Sequence, residues 1–192
     1  MRFIDLSAPL RDGMPVYPGD PPVEVRVVHT YERNSWEVRS LSMGSHSGTH
    51  VDAPSHMHEG AATLDELPVE RFCGVSRLVE PEGAWPVGIG LFFALPAGLE
   101  LLEKLIRHRP RFVGGELSEP LERALLAEGI VTYTDLWGLE RLPRNKSFQF
   151  FGFPLRIEGG DGSPVRAVAV LDEDEEEGEG ENGCETGPEA DC

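Results

Sequence analysis

The stretch His46-Ser-Gly-Thr-His50-Val-Asp52-Ala-Pro54-Ser-His56-Met-His58 gathers four of the chain's six histidines and a carboxylate into thirteen residues. Imidazole and carboxylate donors at this density suit zinc, manganese or iron(II). Three protein ligands would leave a coordination position open to water, which separates a catalytic site from a closed structural one. Gly48 and Pro54 interrupt any helix here, so His46 and His50 need not share a helical face despite their i, i+4 separation. The spacing instead predicts a turn between short elements, with loop geometry converging His46, His50 and Asp52 on one divalent ion. His56, beyond a proline-enforced bend, is either the ligand of a second ion or a general base, and an unperturbed pKa of about 6.5 suits the second role. An ion that acidifies water and polarises a carbonyl makes acyl hydrolysis the expected chemistry.

Outward from this motif, the sequence is that of one domain. The chain has 192 residues, 40% of them hydrophobic, enough for a single core. Its formal charge of -17 is concentrated at one end: residues 172–192 hold 11 acidic and no basic residues, leaving 23 acidic against 17 basic before them. A domain over residues 1–171 followed by a disordered acidic tail over 172–192 is the expectation, since the tail is too poor in apolar residues to offset its chain entropy. The modestly acidic body has no Lys/Arg stripe, which argues against nucleic acid and anionic membranes as partners. No apolar run approaches the roughly 20 residues of a membrane span, and Met1-Arg-Phe-Ile-Asp5 lacks a secretion signal's layout, so the expected location is cytoplasmic. Cys73 is the sole cysteine of the body, Cys184 and Cys192 lying in the tail, and is expected to be a small buried hydrophobe.

Before the motif, Met14-Pro-Val-Tyr17-Pro-Gly-Asp20-Pro-Pro22 reads as a turn-rich loop, because proline removes backbone donors and extends its predecessor. Val23, Val25 and Val27 alternate with charged residues, and Trp36, Val38 and Met43 form a second extended run, predicting paired antiparallel strands. After the motif, apolar runs at 75–79, 87–95, 111–114, 130–133 and 165–171 read as strands. Leu99, Leu102, Leu105 and Ile106 predict a helix ending at Pro110, and Leu121, Leu125 and Leu126 a second ending near Gly129. The fold class is therefore mixed α/β with more strand than helix.

Other residues carry weaker signals. His29 and His108 are isolated and read as surface or hydrogen-bonded histidines, and His58, which follows the compact motif, is either simply exposed or touches the site, with exposure the default reading. Thr49 and Ser47 are turn formers or outer hydrogen-bond partners of a ligating histidine. Gly114-Gly115 and Gly159-Gly160-Asp161-Gly162 match no phosphate-cradling pattern and read as turns. Arg166, inside an apolar strand, should be paired, with Asp161 or Glu158 as plausible partners. Tyr17, Trp36 and Phe72 either line a pocket or pack in the core, with packing the default reading.

The run His46-Ser-Gly-Thr-His50-Val-Asp52-Ala-Pro-Ser-His56 resembles the H-x-G-T-H-x-D-x-P-x-H signature of the cyclase family, which includes bacterial kynurenine formamidase and isatin hydrolase. Ile4-Asp5-Leu6-Ser7 through Pro15-Val-Tyr-Pro-Gly-Asp20-Pro resembles the family's opening. Phe153-Pro-Leu-Arg-Ile through Gly162-Ser-Pro-Val-Arg166-Ala resembles its closing strand, so residues 3–170 are covered unevenly. The resemblance implies a swivelling β/β/α fold, a dimer or tetramer, and hydrolysis of a small amide or cyclic amide with one or two divalent metals. By motif position His46, His50 and Asp52 look like the first metal's ligands, while His56 binds a second ion or transfers protons.

Family members also bring a distal His and Glu to the metal, and here the sequence departs. Glu122 or a neighbour stands near the expected histidine, Thr134-Asp135-Leu136 near the expected glutamate, and Glu116-Leu117-Ser118 resembles a shortened loop. Asp135, Glu122 or Glu116 could substitute. The departure favours one ion, zinc or manganese, over two. The expected function is thus a metal-dependent hydrolase of a small amide, cyclic amide or ester. Arylformamidase activity on N-formylkynurenine and non-catalytic metal or small-ligand binding are the alternatives.

Overall fold

Alternating valines and a run of prolines set the first third of the chain. In the computed structural model, which describes residues 1–144 and 146–172, strand β1 (Arg2–Asp5) opens the fold. The proline-rich loop follows it. The valine alternation then becomes β2 (Glu24–His29), a single helical turn α1 (Tyr31–Asn34) and β3 (Val38–Ser42). These two strands pair antiparallel as a separate sheet, as their patterning predicts. Strand β4 (His50–Asp52) carries the centre of the histidine motif, followed by a 3₁₀ turn at Pro54–His56. The remainder runs β5 (Cys73–Leu78), β6 (Gly90–Ala97), α2 (Leu102–His108), β7 (Phe112–Leu117), α3 (Glu119–Ala127), β8 (Val131–Thr134), β9 (Ser147–Phe151), β10 (Gly162–Pro164) and β11 (Val168–Leu171). The acidic segment expected as a tail lies, apart from Asp172, outside the described residues.

Nine strands form one sheet in the order β1-β11-β9-β5-β6-β7-β8-β4-β10, and β5 through β8 are mutually parallel. α2 and α3 serve as the crossovers between the parallel strands β6, β7 and β8, the connection that parallel pairing demands. Because side chains alternate across a strand, Leu91 and Phe93 of β6 face the helices with Leu105, Leu121 and Leu125, while Phe92 points to the opposite cluster. There Phe92, Phe112, Tyr133, Phe148 and Phe150 pack with ring centroids 4.7–5.9 Å apart.

The sheet cannot be flat. β10 ends at Pro164 and β11 begins at Val168, a gap the chain spans with at most roughly 14 Å of extended backbone. Yet β10 closes one edge of the nine-stranded order and β11 sits one strand in from the other. The sheet therefore curls around the aromatic cluster. Bridges at Ser7–Leu136 and Pro154–Val165, with the Trp137 N–H donating to the Leu6 carbonyl at 2.8 Å, join its two sides. This closure carries residue 161 to the histidine motif.

Several sequence expectations are corrected. Gly114-Gly115 is not a turn but the middle of β7, where a Cβ on Gly114 would lie 2.7 Å from the Phe92 ring and one on Gly115 1.9 Å from the Phe93 carbonyl. The pair permits close strand approach at a register shift between β6 and β7. Of the aromatics expected to pack, only Phe72 is buried, whereas Trp36 is 55% and Tyr17 69% exposed. Cys73 is partly exposed rather than buried. Arg166 pairs neither with Asp161 nor with Glu158: its Nη2 donates to Asp5 Oδ2 at 2.6 Å, because the curl sets the link after β10 against β1.

Candidate metal centre

β4 lies between β8 and β10, with His50 opposite Thr134 and Pro164, and Asp52 opposite Thr132 and Gly162. Two residues apart on one strand, His50 and Asp52 project from the same face. Gly48, at φ 64°, takes a left-handed turn that brings His46 back to them. His46 Nδ1 lies 2.6 Å from Asp52 Oδ1, and its Nε2 lies 2.9 Å from Asp161 Oδ2. Room for this ring comes from Gly162, where a Cβ would stand 2.3 Å from His46 Cε1. His50 Nδ1 is 2.6 Å from the Gly48 carbonyl and so donates to it, leaving Nε2 directed at Asp52 Oδ1 (3.3 Å) and Thr134 Oγ1 (2.8 Å).

Pro54 fixes the start of the 3₁₀ turn, which lays the His56 ring on that of His46 with centroids 3.8 Å apart. His56 Nδ1 comes within 3.6 Å of Asp161 Oδ2. Donor atoms of His46, Asp52 and His56 all lie within 4.8 Å of one another. His46 and His50 each commit one nitrogen to an outer acceptor and turn the other toward Asp52. A ligating histidine requires that arrangement to fix its tautomer, so this donor set fits a divalent ion.

The charges are tightly linked. Burial opposes a charge on His46, but its bonds to Asp52 and Asp161 outweigh burial and raise its pKa to about 9. Burial likewise works against Asp52, yet His46 and His50 hold it well below the usual carboxylate range. Glu122 shares the Thr132 hydroxyl with Asp52: Thr132 Oγ1 lies 2.9 Å from Glu122 Oε1 and 3.2 Å from Asp52 Oδ2. Burial and the neighbouring Asp52 charge push Glu122 up to about 8. Burial, then the charge of His46, lowers His56 from its ordinary value.

A cavity of about 780 Å³ opens onto the cluster, lined by His46, His50, Asp52 and His56 and by Glu122 of α3. Of the three substitutes considered for a distal ligand, Glu122 reaches the cluster and Asp135 lines the cavity. Glu116 instead lines a separate shallow cavity with Pro96 and Ser118. Thr49 is an outer support, donating to the Asp135 carbonyl and accepting from the Ala8 N–H. His58 donates to the Arg123 carbonyl on the periphery, His29 accepts from the Trp36 indole, and His108 donates to the Lys104 carbonyl. Asp161 is the participant that sequence reasoning missed. Its sole signal was a carboxylate within a glycine turn just before the closing strands.

Residues 4–86 match the sequence model of the Cyclase family, described as putative cyclase. The kynurenine formamidase of Salinibacter ruber is 28% identical, the match covering 88% of this chain and 97% of that protein. Among solved structures, isatin hydrolase A from Labrenzia aggregata superposes with a TM-score of 0.77 at 21% identity, over 89% of this chain and 94% of that one. A structure described as a potential metal-dependent hydrolase with cyclase activity gives 0.71 at 23% identity, over 88% and 96%. These superpositions match the strand-rich α/β fold expected from the sequence, and no helix among the described residues is long and apolar enough to cross a membrane. The motif, the residues matched and the shared fold thus agree in their likeness to the cyclase family, whose model spans residues 4–86 of this chain.

Proposed function

We propose that the chain is a metal-dependent hydrolase of a small amide, cyclic amide or ester. His46, His50 and Asp52 would hold one divalent ion, zinc or manganese. The observation that carries this reading is the paired histidine geometry: His46 Nδ1 and His50 Nε2 face Asp52 Oδ1 at 2.6 and 3.3 Å while their other nitrogens sit on Asp161 and Gly48. Glu122, joined to Asp52 through the Thr132 hydroxyl, is the side chain best placed to complete the coordination, ahead of Asp135.

A divalent ion bound there supplies Lewis acidity toward the acyl carbonyl and acidifies water. His56, lowered by burial and by His46, is neutral near pH 7 and lines the same cavity. Asp161 stands near its Nδ1, leaving Nε2 to take the proton of the attacking water. As the acyl carbon gains the water oxygen and the C–N bond breaks, that proton passes to the departing nitrogen. The His56 role is therefore a base in a one-ion site. In a two-ion site the same ring would be a ligand.

Purified protein is expected to carry about one equivalent of zinc or manganese, and Asp52→Ala to lose both the metal and the hydrolysis of formanilides. Full metal retention in that variant sinks the assignment. The Salinibacter relative supports arylformamidase as the narrower reading, and N-formylkynurenine is the substrate that tests it. Assembly as a homodimer is supported by the exposed Val27, Val28, Tyr31, Trp36 and Leu41 of the β2–β3 unit, and light scattering decides it.

A further inference from the structure

The cavity carries charge that the hydrolytic chemistry leaves unused. Away from the histidines, Asp52 and Glu122, its charged lining consists of Asp20, Glu119, Asp135 and Arg123. Arg123 is the one Lys or Arg of this lining, and it is already engaged. Its Nη2 stands 3.5 Å from Glu119 Oε1, one turn earlier on α3, and its Nη1 donates to the Met57 carbonyl at 3.3 Å. Asp20 and Asp135 have no such compensation, since neither carboxylate has a hydrogen-bond or ion-pair partner among the described residues.

Both carboxylates are held in place through their backbones. The Asp20 N–H donates to the Tyr17 carbonyl at 3.0 Å, closing a turn in the proline-rich loop. The Asp135 backbone takes a left-handed φ of 51°, and its carbonyl accepts the Thr49 hydroxyl at 2.5 Å. Tyr17, 69% exposed, contributes an aromatic ring to the same cavity. A concave wall lined by one sign of charge focuses potential and concentrates ligands of the opposite sign, and an aromatic face adds to the attraction for a cation.

Resting on the hydrolase reading, we propose that this cavity selects amides whose non-reacting end carries a positive charge, an ammonium or amidinium. Asp20 and Asp135 are the residues that set the preference, with Tyr17 offering its ring. A carboxylate at the same end is disfavoured, because the only guanidinium available to it is shared with Glu119.

Three formanilides of matched size test this, bearing para-aminomethyl, para-methyl and para-carboxylate groups, with the metal-loaded full-length protein. The cationic compound should exceed the anionic one in kcat/KM by about tenfold at low salt, with the ratio contracting as salt screens the wall. Asp20→Asn and Asp135→Asn should each reduce that ratio several-fold. An equal or reversed order overturns the proposal, as does a ratio that both variants leave intact. If none of the three is hydrolysed, the hydrolase reading fails, and calorimetric binding of the same compounds still decides the charge preference. Tighter binding of the cation then supports it, while equal, reversed or absent binding overturns it.

Discussion

At the scale of single residues, the site turns on which atoms face Asp52, and one missing methyl group controls the closest of them. A Cβ on Gly162 would stand 2.3 Å from His46 Cε1, so Gly162→Ala should displace the imidazole and sharply weaken metal uptake while far-UV circular dichroism stays unchanged. Wild-type metal affinity in that variant would remove His46 from the ligand set. Asp161→Asn tests the outer partner. Losing the carboxylate behind His46 Nε2 should lower metal affinity on the order of 10–100-fold, as for other histidine ligands deprived of their partner.

Protonation follows from the same contacts. His46, raised to about 9, contributes stability that is complete below its ordinary 6.5 and lost as pH climbs through the raised value. Glu122, raised to about 8, prefers its proton when folded, so its stabilisation is likewise lost above its ordinary 4.5. Both losses have the same sign, and metal binding, which requires those protons to leave, becomes stronger over the same window. The gap in Tm between metal-loaded and chelator-treated protein should therefore widen from about pH 5 to about pH 9. A constant or shrinking gap argues against His46 and Glu122 as the groups an ion deprotonates. His46, His50 and Asp52 were legible in the sequence because seven residues contain all three. Asp161 was not, since its contact with His46 spans 115 residues of chain, and a glycine turn says nothing about what the turn faces.

Among elements, α3 does two jobs on two faces. Leu121, Leu125 and Leu126 are buried, and the opposite side presents Glu119, Glu122 and Arg123 to the cavity. The leucine spacing predicted the helix and its end near Gly129, whose φ of 72° permits the left-handed exit. What the pattern could not supply was the polar face's destination, because charged residues look alike whether they meet solvent or a site. Leu125→Ala should cost about 2–5 kcal/mol in denaturant unfolding, as expected for a leucine with no exposed surface. A cost below about 1 kcal/mol would mean that the α3 packing is looser than these contacts describe. The glycine pair of β7 teaches the converse lesson. Gly114-Gly115 suggests a turn locally, but tertiary packing reverses the local preference, since no side chain fits beneath Phe92 or beside the Phe93 backbone.

For the whole molecule, closure of the sheet pairs the two ends of the described chain and ties them to the strand beside the site. β11 pairs with β1 on one side and β9 on the other, and the short link before it ties it to β10, whose Gly162 lies opposite Asp52. Local patterning found seven of the eleven strands, missing the short or polar β1, β4, β9 and β10, and it could not give their order, because register between strands far apart in sequence depends on contacts that no single segment contains. The proposed domain boundary near residue 171 gains a direct test from the topology. Removing residues 173–192 leaves in place every sheet pairing among the described residues and every residue placed around the cavity, so metal content, hydrolysis and Tm should match those of the full chain. Removing residues 165–192 takes β11 as well, leaving β1 unpaired and β9 an open edge, and the buried Ala167 and Ala169 would be lost from the aromatic cluster. That shorter chain should fail to unfold cooperatively and should not retain metal, since its closing strand fixes the position of β10 against β4. Cooperative unfolding with bound metal in the shorter chain would show that β4, β8 and β10 assemble the site without closure, and would confine the role of the curl to stability.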